Sequence, residues 1–547
     1  MKCMIAMALA ATVTCTGVAV AQETAAPGSA QASDPAALGW MQGFPPPQDK
    51  AIRPTDPDFF AFPKRRWSVC HFRQLMPNVA VDNGANGVRP LTEAIKPALG
   101  GVTFTPLGGG DVMTWDAAFD ANYTDGVIVL HHGRVVYERY DGCLNKDNLH
   151  AAMSVSKSLT GLLAQILVAE GTLDEAARVG NLIPELAASG FGDATVRQVM
   201  DMTTALAYSE DYSDPNADVW AFAEAGSVLP KPEGYDGPRS YFEFLQTVQK
   251  NGEHGEAFGY RTVNSDALGW LVARASGMSV SDLLADRIWS RIGARREAFY
   301  TVDSVGTPFA GGGFNASLRD MARLGQMLLD GGRVGTDQVV PEGAVAAIAQ
   351  GGDKEAFAQA GYDLLPDWSY RSMWWVSGGG PGAYAARGVH GQTLWIDPAA
   401  DMVIARFASH PVAANAASDP TSLPAYRAVA QHLMANDDMP LVGREWRIED
   451  VEGMGVIDFS HATLDFAGDG SLSGSATCNR LIGSYEANGD AITIQPAGAT
   501  MMACPEALML QEQRILDLLP KIERFIIDET GALILIAADG RTIAARR

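Results

Sequence analysis

Residues 126–170 read GVIVLHHGRVVYERYDGCLNKDNLHAAMSVSKSLTGLLAQILVAE, and this stretch decides the fold. Its first fifteen residues hold two runs rich in Val, Ile, Leu and Tyr on either side of His131-His132-Gly133, the pattern of a β-hairpin. Residues 154 to 170 then carry Leu159, Leu162, Leu163, Ile166, Leu167 and Val168 at helical spacing, and Gly171 stands where a helix end favours it. Working outward, residues 319 to 330 read as another helix, closed by Gly331-Gly332. Residues 392 to 396 and 402 to 408 read as two strands parted by Asp397-Pro398. Strands at both ends of a segment with helices between them predict one antiparallel sheet closed by the two chain halves. That is an α+β fold with a helical insertion.

The chain has 547 residues, with 41 Lys plus Arg against 64 Asp plus Glu, so the net charge is 41 − 64 = −23. So acidic a surface repels phosphate backbones and anionic lipid, which argues against nucleic-acid and peripheral membrane partners. With 47% hydrophobic and 19% charged residues the chain can bury a core, which excludes overall disorder. Lys2, the apolar run 4 to 20 and Ala19-Val20-Ala21 before Gln22 form a signal peptide over residues 1–21, so the protein is expected to be secreted, to the periplasm. No later run is long enough to span a bilayer. Residues 22–60 read as a Pro- and Ala-rich leader whose aromatic part (Trp40, Met41, Phe44, Phe59, Phe60) wraps onto the main body. Signal cleavage leaves Cys70, Cys143, Cys478 and Cys504, which allow three pairings; proximity favours Cys70–Cys143 and Cys478–Cys504. At Asp437-Asp438-Met439-Pro440 the texture changes. The reading is a main domain over 61–438 and a small α+β domain over 441–547, with short strands and a helix over 505 to 519.

No GxSxG, HExxH or Walker GK[ST] pattern occurs, which removes the commonest hydrolase, zinc-peptidase and P-loop readings. Ser154-Val155-Ser156-Lys157 is an SxxK at the start of the apolar helix. Residues three apart share a helix face at about 5–6 Å, so Lys157 can reach the Ser154 hydroxyl and, when desolvated, take its proton. The bland alternative is a solvated lysine beside a capping serine. Tyr260, ahead of the helix ending at Ser276-Gly277, suits a proton relay, although a tyrosine alone at such a place is more often a core or rim aromatic. Arg387-Gly388-Val389-His390-Gly391-Gln392 brings glycines into a strand, where a backbone can approach a substrate closely, and His390 invites a chemical or a structural role.

These segments, with Leu38-Gly39-Trp40-Met41-Gln42-Gly43-Phe44-Pro45-Pro46 and Leu318-Arg319-Asp320-Met321-Ala322-Arg323, resemble the serine β-lactamase and penicillin-binding-protein superfamily. Within it the likeness is to class C-like esterases and amidases of the 6-aminohexanoate-dimer hydrolase type, over about residues 38 to 435. The resemblance implies an antiparallel sheet flanked by helices, with Ser154 as nucleophile, Lys157 as base and Tyr260 as relay. It implies an oxyanion hole from the backbone N–H groups of Ser154 and Val389, and substrate contacts at Arg387, Gly388 and His390. Two departures stand out: Thr262 replaces the Asn of Tyr-x-Asn, and Ala386-Arg387-Gly388 replaces Lys-Thr-Gly. They favour an amide or ester substrate, small or peptide-like, over β-lactams. D-Ala-D-Ala peptidase or β-lactamase activity, or a non-catalytic envelope-binding protein on this scaffold, are the alternatives. No cofactor or metal is implied. Trp446, Thr477-Cys478-Asn479-Arg480, Met501-Met502-Ala503-Cys504-Pro505 and Asp539-Gly540 resemble a META domain.

Overall fold

The computed structural model describes residues 29–546, apart from 232, 379–381, 437–439, 443–444, 459, 469 and 529. The expected signal peptide and the first part of the leader lie outside the described residues, as does most of the expected domain boundary. Strands β1 (Thr124–His131) and β2 (Arg134–Tyr140) form the hairpin around His132-Gly133, both at positive φ as a tight two-residue turn requires. Every residue of β1 is buried, because the strand lies inside the sheet rather than at its edge. Its other neighbour comes from the far end of the domain. After β3 (Ser369–Arg371), β4 (Trp374–Val376), β5 (Tyr384–Gly388) and β6 (Gln392–Asp397), strand β7 (Met402–Ala408) pairs antiparallel with β1, Met402 opposite His131 and Ala405 opposite Ile128. The sheet order is β3-β4-β5-β6-β7-β1-β2, closed by the two chain halves.

Both faces of this sheet are covered, and alternate residues of β6 face opposite layers. Leu394 meets helix α4 (Leu318–Leu329), where a methyl on Gly325 would lie 2.9 Å from its Cδ1. Trp395 meets Tyr426 of helix α5 (Asp419–Ala435), ring centroids 5.5 Å apart, and Tyr426 in turn meets Trp115 of helix α1 (Trp115–Ala121). The insertion between β2 and β3 carries helix α2 (Val155–Ala169), which packs against helix α3 (Thr262–Ser276) and the edge of β5. Residues 155–167 of α2 are all buried, as expected for a helix enclosed on every side. Its polar residues are satisfied: Ser156 Oγ donates to Met153 O at 2.6 Å and Ser158 Oγ to Met373 O at 2.7 Å.

The leader's aromatic part does pack on the body: Trp40, Met41, Phe59 and Phe60 join a cluster with Trp67, Val69, Phe72, Met153 and Phe299. Phe44 does not, and stands fully exposed. Cys70–Cys143 ties this segment to the loop after β2. Beside it the Arg66 guanidinium, wholly buried, donates to Asp125 at 3.0 Å, and Asp125 also faces His150 at 3.2 Å. Losing one partner of such a pair strands the other charge. Arg66→Leu should therefore cost about 3–5 kcal/mol, read as a fall in denaturant midpoint.

Residues beyond 440 form a second core of their own. The small α+β unit is a barrel: β8 (Trp446–Val451), β9 (His461–Phe466), β10 (Ser471–Thr477), β11 (Arg480–Asn488), β12 (Ala491–Ala499), β13 (Ile522–Ile527), β14 (Leu533–Ala537) and β15 (Thr542–Arg546) pair in order, and β15 returns to β8. Closure removes exposed strand edges. Helix α6 (Glu506–Leu518) contributes Ile515 and Leu518 to the interior, and Cys478–Cys504 links the β10–β11 turn to the segment ahead of α6. With its own core and staple this unit should be dispensable for the folding of the main domain. A chain ending at Asp438 is expected to fold with an unchanged denaturant midpoint for the main domain; a truncation that unfolds more easily would show that the barrel supports it.

Candidate active site

Ser154 occupies the position just before α2, where a serine often caps the helix, yet its side chain makes no capping hydrogen bond. The hydroxyl instead accepts from Lys157 Nζ at 3.0 Å. Lys157 is only 1% exposed, so the reading as a solvated lysine fails. Its ammonium also donates to Gly311 O at 2.5 Å. Burial pushes Lys157 down to about 8, against the pull of the Glu210 and Asp266 carboxylates, which favour the charged form. Proximity and a depressed pKa are what a lysine needs to take a serine proton.

Tyr260 lies two residues ahead of α3, and its ring face is 5.3 Å from Lys157 Nζ. Burial and the negative Glu210 raise its phenol far above the ordinary value, while a hydrogen-bond interaction with Ser154 and the positive Arg387 act the other way. Such a phenol stays protonated and can hand a proton on. Trp375 and Tyr370 flank the ring at 5.6 and 6.3 Å, and Tyr362 packs on Trp375, forming an aromatic wall.

Strand β5 meets Ser154 backbone to backbone. A methyl on Gly388 would lie 3.0 Å from Ser154 N and 2.8 Å from Ala152 O, so only glycine allows this approach. Among the described residues neither the Ser154 nor the Val389 N–H has a hydrogen-bond acceptor. The structure thus brings Ser154, Lys157, Tyr260 and Gly388 together. Two further sequence candidates already have partners. Arg387 stands over Trp375 at the aromatic wall, close enough for its charge to act on Tyr260, and pairs with Asp419. His390, expected to face the substrate, gives its ring to Arg65, His410 O and Phe60, and burial beside the Arg65 cation holds it neutral.

Two carboxylates escaped the sequence reading. Glu210 accepts from both the backbone N and the Oγ1 of Thr262, the residue that replaces the family's Asn. Asp266, one turn further along α3, is 2% exposed, and neither of its oxygens finds a partner of good geometry. It lies against the Gly311 backbone that also receives Lys157, and burial raises its carboxyl well above the usual range. Among the described residues no group of His, Cys, Asp or Glu is arranged to hold a metal ion.

A lysine-bonded serine at the head of a buried helix, against an inner strand of an antiparallel sheet, defines a serine hydrolase of the β-lactamase type. The comparisons agree. The Beta-lactamase family model matches residues 117–425 and the META domain model residues 439–547, and the chain belongs to the β-lactamase family. It is 34% identical over 366 residues to the 6-aminohexanoate-dimer hydrolase of Paenarthrobacter ureafaciens, covering 67% of this chain and 90% of that one. A solved Bacillus anthracis structure, provisionally named a 6-aminohexanoate-dimer hydrolase, matches with a TM-score of 0.64 and 29% identity, over 72% of this chain and all of that chain.

Proposed function

We propose that the protein is an exported, periplasmic hydrolase that cleaves a small or peptide-like amide or ester through an acyl-enzyme on Ser154. The observation that carries this reading is the 3.0 Å hydrogen bond between Lys157 Nζ and Ser154 Oγ inside a buried helix. Ser154 Oγ attacks the substrate carbonyl carbon while its proton passes to neutral Lys157. The N–H groups of Ser154 and Val389 receive the charge that develops on the carbonyl oxygen. The proton then moves through the Tyr260 hydroxyl to the leaving nitrogen or oxygen as the bond to the carbonyl breaks. Water attacks the acyl-enzyme by the reverse relay, and Ser154 regains its proton. Because Arg387 is already paired with Asp419, it offers no free cation to a β-lactam carboxylate.

Two disulfides fit an oxidising compartment, and among the described residues no helix is long and apolar enough to cross a membrane. The activity is tested with a p-nitrophenyl ester. One equivalent of nitrophenol per enzyme should appear in a burst before steady turnover. Absence of both burst and turnover would leave the non-catalytic reading standing.

A further inference from the structure

The segment Val389-His390-Gly391-Gln392 is bonded residue by residue so that one peptide plane is fixed on both sides. Val389 O accepts from Gln392 Nε2 at 3.1 Å, and His390 N donates to Ala413 O at 2.9 Å. The same Gln392 side chain anchors to β7, donating to Ala408 O at 2.6 Å and accepting from Ala408 N at 3.0 Å. Gly391 has φ +96°, a conformation that suits glycine, and Arg406 Nε donates to its carbonyl at 2.9 Å. His390 itself sits at φ 65°, in the left-handed region that non-glycine residues seldom enter. Strain of that kind persists only where surrounding contacts impose it, and here they come from far away in sequence. Arg65, in the segment that follows the leader, donates from Nη1 to the carbonyls of His410 and Pro411 at 3.1 Å, and His390 Nδ1, 3.0 Å from the same Nη1, donates to His410 O at 2.8 Å, so both residues hold one carbonyl. Phe60 covers the His390 ring at 5.7 Å, and the Val389 side chain packs in the same cluster with Trp67 and Met153. Among the described residues the Val389 N–H has no hydrogen-bond acceptor, and Gly388 just before it lies against the Ser154 backbone.

We infer that Arg65 and His390 are positioning residues: they hold the Val389–His390 peptide and the turn after it, so that the preceding Gly388–Val389 peptide keeps its N–H ready beside Ser154, which makes the start of the main domain part of the catalytic apparatus. This rests on the acyl-enzyme reading above, with Val389 as an oxyanion donor. An oxyanion donor contributes only when charge develops on the carbonyl oxygen, so its misplacement lowers kcat and spares substrate binding.

The test compares Arg65→Met, His390→Val and His390→Asn with the wild type on a p-nitrophenyl ester. Rates are expressed per site titrated by a fluorophosphonate, so that misfolded molecules do not count. Arg65→Met and His390→Val should each lose about 10²-fold in kcat, the size of one oxyanion donor, with KM and the midpoint of the pH profile unmoved. His390→Asn places an amide NH2 where Nδ1 donates to His410 O and tolerates positive φ, so it should regain at least roughly a tenth of the wild-type kcat. Wild-type kcat in the first two variants, a loss confined to KM, or an Asn variant as slow as Val would each overturn the inference. If the wild type turned over ester with no adduct on Ser154, the underlying reading would fall first, and this one with it.

Discussion

Ser154→Ala is expected to remove at least ~10³-fold of the ester hydrolysis rate and the whole nitrophenol burst, with the fold intact. The substitution deletes one oxygen at the mouth of α2, where the hydroxyl makes no helix cap, so little stability is at stake. What remains should be the background catalysis supplied by binding and by backbone donors. The neighbouring hydroxyls cannot substitute. Ser156 Oγ is tied to Met153 O and to Phe314 N, about 200° round the helix, and Ser158 Oγ is occupied by Met373 O. A variant that kept its burst would place the nucleophile elsewhere.

Lys157→Arg should lose at least ~10²-fold, because a guanidinium keeps the charge but stays protonated and cannot act as base. The same base sets the pH profile. Lys157 works only when neutral, and its ammonium lies at about 8, so the rate on an uncharged ester should rise through about pH 8 and then level off. Glu210 favours the charged ammonium; removing its charge in Glu210→Gln makes deprotonation easier. The rise should therefore move to lower pH in that variant, measured as kcat/KM from pH 5 to 10. A shift to higher pH, or near-native turnover in Lys157→Arg, would contradict the assignment of the base.

Much of this architecture is local in origin and was therefore readable. The hairpin, the apolar spacing of α2 and its SxxK are decided within a few turns of chain, and the closure of β7 on β1 follows from strands at both ends of the domain. The site was legible where a residue type has few other uses at its position, as with Ser154 and Lys157. It failed where burial is imposed by distant packing. Glu210 lies in a loop of acidic and small residues that reads as solvated, and Asp266 interrupts an apolar helix without any local sign that α2 will cover it. Glycines around His390 open a chemical role beside the commoner structural one, and its neighbour Arg65, 325 residues earlier in the chain, leaves no local sign. The barrel was legible only as scattered strands, since β10 and β11 are rich in Ser and Gly and their weak alternation hides the pairing.

The central claim is that Ser154 carries the acyl group. It is tested most directly by trapping the enzyme with a fluorophosphonate or a slow ester, digesting it and locating the adduct by tandem mass spectrometry. The account predicts one adduct per chain, on Ser154, absent from Ser154→Ala and strongly slowed in Lys157→Arg. An adduct on Ser156, Ser158 or any residue outside this helix, formed at the rate of turnover, would contradict it.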